Sequence, residues 1–211
     1  SIWCTNAAIA VACVGYLGVF FPVLASNALA SAMSGVGLIV IFTAINSAEI
    51  RKVAAVQSLT TVLKVLPLLA LGILGLAHLN LEHLWHEGTY KGGVLSGITS
   101  ATTFTLFAFL GVESAAISSA RIRHPARNMG RASLLGTLLT VLVYLLGTLA
   151  VMGVVPPEVL MESEAPFADA AGTLWGSQAR TVMAAAAVVA TLGALNGWLF
   201  IQGEFPMAVA D

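Results

Sequence analysis

Two ionisable side chains sit where an oily chain has least room for them. Glu113 lies inside the run FTLFAFLGVESAAI, two residues after Gly111, and Lys64 lies inside VQSLTTVLKVLPLL. An ionised group at the centre of a membrane helix costs about 2.5–3.5 kcal/mol on insertion scales. Glu113 is too deep in its run to reach the interface, and Gly111 suggests how the acid is accommodated. A helix interrupted at a glycine exposes backbone polar groups at mid-membrane, and these are tolerated only where they line a cavity. Broken helices of this kind build substrate and ion sites in secondary transporters. The plainer reading is a protonated glutamate bonded to a neighbouring helix, with Gly111 a packing contact. Lys64 lies about 17 Å into its helix at 1.5 Å per residue. That is beyond an easy reach to water, so its ammonium is expected to face the bundle interior.

Other chemistries find less support. An intramembrane enzyme using Glu113 as general base needs a nucleophile or a metal, and no H-E-x-x-H pattern is present. His78, His83 and His86 cluster in a connection and read as a solvated loop rather than a zinc site. Cys4 and Cys13 are half a rotation and roughly 13 Å apart on one helix, so they cannot bridge. A channel would favour repeated pore-lining polar residues, and these segments have few. An enzyme or channel built around Glu113 is the alternative to a transporter.

The elements that carry these residues follow from composition. Of 211 residues, 58% are hydrophobic and 9% charged, against about 25% charged in soluble domains. The chain is therefore an all-α integral membrane protein, and its net charge of −1 offers nothing to a nucleic acid. Runs of about 20 apolar residues span a bilayer. Six are visible, at about 3–24, 28–48, 53–78, 95–119, 130–155 and 179–203. Arg51, Lys52, Arg121, Arg123, Arg127 and Arg131 fall on one face, and Lys91 and Arg180 on the other. The positive-inside rule makes the first face cytoplasmic. Ser31 with Gly35, and Gly193 with Gly197, have the four-residue spacing of close helix contacts. The start at Ser1 and the end at FPMAVAD suggest an internal fragment, with residues 1–211 forming part of one membrane domain.

FAFLGVESAA followed by HPARNMGRA, with VGYLGVFFPVL, APFADAA and LGALNGWLF in order, resembles the amino acid–polyamine–organocation superfamily. Within it, the chain is most similar to the basic amino acid/polyamine antiporter branch. The resemblance implies a LeuT-like inverted-repeat fold, of which this chain would hold the third to eighth transmembrane helices. It implies secondary transport of an amino acid or amine across the plasma (inner) membrane, by exchange or proton coupling. It implies no cofactor, and it is compatible with a homodimer of the full-length protein.

The resemblance also implies roles for single residues. Phe107 takes the place of an aromatic gate, and its ring face suits a cation. Leu110 would offer a freed carbonyl to the substrate ammonium, and Gly111 would be the break. Glu113 matches an acid assigned to an inner gate or proton site, and desolvation favours the neutral form of a carboxylate. Trp198 would pack against the substrate side chain. Asn6 and Ile9 would face its far end, although Asn6 serves equally as interhelical glue. Lys64 departs from the arginine antiporters. It resembles the lysine that stands in for a sodium ion in other superfamily members, or else it pairs with carbonyls and stabilises packing.

Overall fold

The computed structural model describes the backbone of residues 2–46, 50–84, 93–109 and 125–210. Within these it describes the side chains of residues 3–46, 61–84, 93–103, 105, 106 and 130–203. All regular structure among them is helical. In chain order the helices are α1 Ile2–Gly18, α2 Pro22–Ser26, α3 Ala28–Asn46, α4 Ile50–Leu76 and α5 Leu81–Leu84. There follow α6 Gly93–Phe109, α7 Pro125–Val154, α8 Pro157–Glu162, α9 Pro166–Trp175 and α10 Ser177–Ala210.

The first apolar run is not one helix. It stops at Gly18, and Pro22 opens the separate short helix α2. Proline has no N–H and fits the first turn of a helix, not its interior. Asn27 then ends α2 in an extended conformation. Its Oδ1 accepts the Leu29 N–H at 3.0 Å and the Ala30 N–H at 3.2 Å, capping the start of α3. Pro67, by contrast, lies inside α4, which continues through it. The missing N–H leaves the ladder one bond short there. The long connection after α7 also holds structure, because Pro157 and Pro166 each start a short helix, α8 and α9.

The chain divides into two compact units. The first, residues 1–84 and 143–211, holds α1 to α5, the C-terminal part of α7, and α8 to α10. Small residues set its packing. A Cβ built on Gly72 would stand 2.8 Å from Leu146 Cβ, and one on Gly75 would stand 2.7 Å from Ala150 Cβ. α4 and α7 are therefore in backbone-close contact over that turn. Gly147 likewise receives the ring of Phe167 from α9. Ala168, Ala170 and Ala171 of α9 are buried in a core with Leu71, Val151, Met183 and Ala184. Arg180 Nε donates to Asp169 Oδ1 at 2.9 Å, pinning α9 to the start of α10.

Outward-facing surface is apolar. Leu29, Met33, Val36 and Val40 form a helical stripe on α3 and all are exposed, whereas Gly35 is buried beside Val14. A soluble helix would show the reverse pattern. Three described helical stretches are long and apolar enough to cross a membrane: Ala28–Asn46, Gly130–Val154 and Ser177–Gly203. The apolar stretches Trp3–Gly18 and Thr61–Leu76 are shorter. In the second unit, residues 85–142, the α6 threonines Thr99, Thr102, Thr103 and Thr105 each donate to the carbonyl four residues earlier. Their hydroxyls are thereby satisfied within the helix.

Candidate functional site

Of the described site residues, Asn6 and Ile9 lie on α1 and Trp198 on α10, two helices that pack against each other, and Lys64 lies on α4. Asn6, Ile9, Cys13 and Tyr16 share one face of α1, by the three- and four-residue spacing of a helix. On α10 the matching stripe is Thr191, Leu195, Trp198 and Gln202, at steps of four, three and four. The helices run antiparallel, so the two stripes pair from opposite ends. Asn6 Nδ2 donates to Gln202 Oε1 at 2.6 Å. Further along, the Cys13 thiol lies against the Thr191 hydroxyl. Ile9 and Trp198, both half-buried, fall between these two pairs.

Thr191 also lines a cavity of about 230 Å³, together with Tyr16, Lys64, Pro67, Phe167 and Met183. That volume holds several water molecules at about 30 Å³ each. Lys64 is half-buried and reaches this cavity from α4, while Phe167 closes it from α9. No acidic side chain is among the described residues that line it. The stripe on α10 therefore joins a lysine-bearing cavity to a buried amide pair.

A second amide pair lies on another face of α10. Asn46 Nδ2, at the end of α3, donates to Asn196 Oδ1 at 3.0 Å and also to its own helix at Phe42 O, 2.9 Å. Asn6 and Asn196 are 4% and 2% exposed. Asn6 Oδ1, Asn46 Oδ1 and Asn196 Nδ2 are buried without a hydrogen-bond partner among the described residues. A buried polar atom left unsatisfied costs about 1–3 kcal/mol, so each calls for a bonding group from elsewhere.

The other candidates fall differently. Phe107 lies on α6, with its side chain outside the described residues. Leu110, Gly111 and Glu113 lie outside them altogether. Of the three histidines clustered in the connection, His83 Nδ1 is 3.1 Å from Gly153 O, and His78 Nδ1 is 3.2 Å from Leu74 O. His86 lies outside the described residues. No group of three or more metal-ligating side chains occurs among the described residues. Cys4 is exposed and Cys13 buried, both as free thiols. Gln202, Asn46 and Asn196 are absent from the residues singled out in the sequence. Gln202 could have been found from its place four residues after Trp198, which puts both on one face.

The model of the amino acid permease family matches residues 1–211. The chain belongs to the amino acid permease family. A cadaverine/lysine antiporter of Escherichia coli (strain K12) is 30% identical over 216 residues, covering 99% of this chain and 47% of the relative. A putrescine transporter of the same organism is 29% identical over 219 residues, covering 100% of this chain and 48% of the relative. The chain thus spans about half the length of the curated relatives it matches. Family membership and the apolar helices make it a multi-pass protein of the inner membrane.

Proposed function

We propose that the full-length protein is a secondary transporter that exchanges amino acids or related amines, and is not an enzyme. The observation that carries this reading is the α1–α10 seam. It combines a buried amide, Asn6, with the aromatic Trp198 and a cavity reached by Lys64. Such a seam offers hydrogen bonding, an aromatic face and a fixed cation inside a membrane bundle. The likeness to a cadaverine/lysine antiporter and a putrescine transporter supports amines and amino acids as the substrate class.

In this reading Asn6, Ile9 and Trp198 contact the side chain of the substrate, and Phe107 closes over it. The helix carrying Glu113 unwinds at Leu110–Val112, so that a carbonyl near Leu110 accepts the substrate ammonium beside Gly111. Glu113 gates the inner side and exchanges a proton. Lys64 occupies the position of a coupling sodium ion. Two cations repel by about 4 kcal/mol at 4 Å with an effective dielectric of 20, so a charged Lys64 excludes sodium from its cavity. The helices would be the third to eighth of a LeuT-like inverted repeat.

Counterflow by the full-length protein in proteoliposomes tests the proposal. Liposomes loaded with unlabelled lysine, arginine, ornithine, putrescine or cadaverine should accumulate the labelled compound, in sodium-free buffer as well as in sodium. Absence of counterflow across this panel and the neutral amino acids would overturn the assignment.

A further inference from the structure

Gln202 has no part in the reading above, yet it makes the one described hydrogen bond to the Asn6 side chain. An asparagine amide is two-faced: its NH₂ donates and its carbonyl oxygen accepts. Which face it offers to a ligand depends on what holds the other. Here Asn6 Nδ2 donates one of its two N–H groups to Gln202 Oε1 at 2.6 Å, so the nitrogen edge of the amide faces Gln202. The acceptor, Asn6 Oδ1, is buried and without a partner among the described residues. Gln202 stands four residues after Trp198 on α10, on the same helical face.

We propose that Gln202 is a specificity-determining positioning residue. By holding Asn6 Nδ2 it presents the Asn6 carbonyl oxygen to the site, so the far end of the transported molecule must donate a hydrogen bond. This rests on the transport reading and narrows it. An ammonium, guanidinium, hydroxyl or carboxamide tip satisfies the oxygen. A methyl tip leaves it buried and unsatisfied, and a carboxylate tip sets two acceptors against each other. Hydrogen bonds to charged groups are strong enough to make this a discrimination of about 10- to 100-fold.

The test is competition against counterflow by the full-length protein, with probes paired by size. Lysine should compete about 10- to 100-fold better than norleucine, and glutamine better than glutamate by a similar factor. Gln202→Met keeps the length of the side chain and removes the acceptor, and it should bring lysine and norleucine to within a few-fold of each other. Gln202→Glu keeps a carboxyl oxygen that can accept from Asn6 Nδ2 whether it is ionised or protonated, so it should retain the ranking. A merely structural role would instead make both variants lose turnover without changing the ranking. Equal competition by lysine and norleucine in the unmodified protein would assign the oxygen to water or a neighbouring helix and overturn the proposal. That measurement does not depend on any variant folding. An unmodified ranking in Gln202→Met would overturn the role of Gln202 while leaving the transport reading intact. Absence of counterflow by the unmodified protein would remove both.

Discussion

Gly75 gives the packing of this bundle its sharpest numerical test. A methyl group at this position would lie 2.7 Å from Ala150 Cβ and 3.5 Å from Ala150 Cα. Carbon atoms rest at about 3.5–4.0 Å, so Gly75→Ala requires α4 and α7 to part by roughly 1 Å. Ala150 is fully buried and cannot swing aside. Overpacking of this kind costs typically about 1–3 kcal/mol, a fall of about 5- to 150-fold in the ratio of folded to unfolded protein. The partner substitution isolates the cause. Ala150→Gly removes the methyl that Gly75→Ala meets, so the double variant should recover most of the loss. What it does not recover is about 0.5–1 kcal/mol for a glycine inside a helix. The assay is reversible unfolding of the full-length protein by SDS in bicelles, followed by tryptophan fluorescence. Unchanged stability in Gly75→Ala, or a double variant no better than the single one, would refute the close approach of these helices.

Lys64→Ala should abolish exchange while the protein still elutes as a folded species, and uptake by the unmodified protein should persist in sodium-free buffer; a steep sodium requirement would remove Lys64 from the sodium position. Glu113→Gln should preserve folding and flatten the pH dependence of turnover, because glutamine mimics only the protonated acid. An unaltered pH–rate profile would return Glu113 to packing. Arg180→Gln should lower stability by less than about 1 kcal/mol, since pairs this open to water are weak and the Arg180 and Asp169 side chains are 47% and 19% exposed. A larger loss in the same SDS titration would mean that the pair is drier than its exposure indicates.

Much of the architecture could be read from the sequence because a bilayer imposes one dominant constraint, runs of about 20 apolar residues. The runs at about 28–48, 130–155 and 179–203 coincide closely with α3, α7 and α10. The run at about 3–24 does not, since hydropathy is blind to Gly18 and Pro22, which divide it into α1 and α2. Helices inside the long connections were also illegible as apolar runs. α9 is only ten residues long, and it is held by tertiary contacts of Phe167, Ala168 and Ala171. At the site, Asn6, Ile9 and Trp198 came from resemblance to a family. The Asn6–Gln202 and Asn46–Asn196 bonds join residues 196 and 150 positions apart. No local pattern in a sequence encodes which of several buried amides will meet.

Pro67 gives α4 an uneven stiffness. Its ring supplies no proton to the carbonyl of Leu63, so one rung of the ladder is missing one turn from the proline. Beyond it, Gly72 and Gly75 lock the end of the helix against α7. The helix thus behaves like a rod clamped at one end with a compliant joint near its middle, and bending concentrates where a rung is lost. Lys64 lies on the far side of that joint from the clamp, and Lys64, Pro67 and Leu68 all form part of the cavity wall. A small rotation at the joint would swing the ammonium relative to Tyr16 and Thr191 while the glycine contacts stayed seated. The cavity could then change shape without any helix leaving its neighbours.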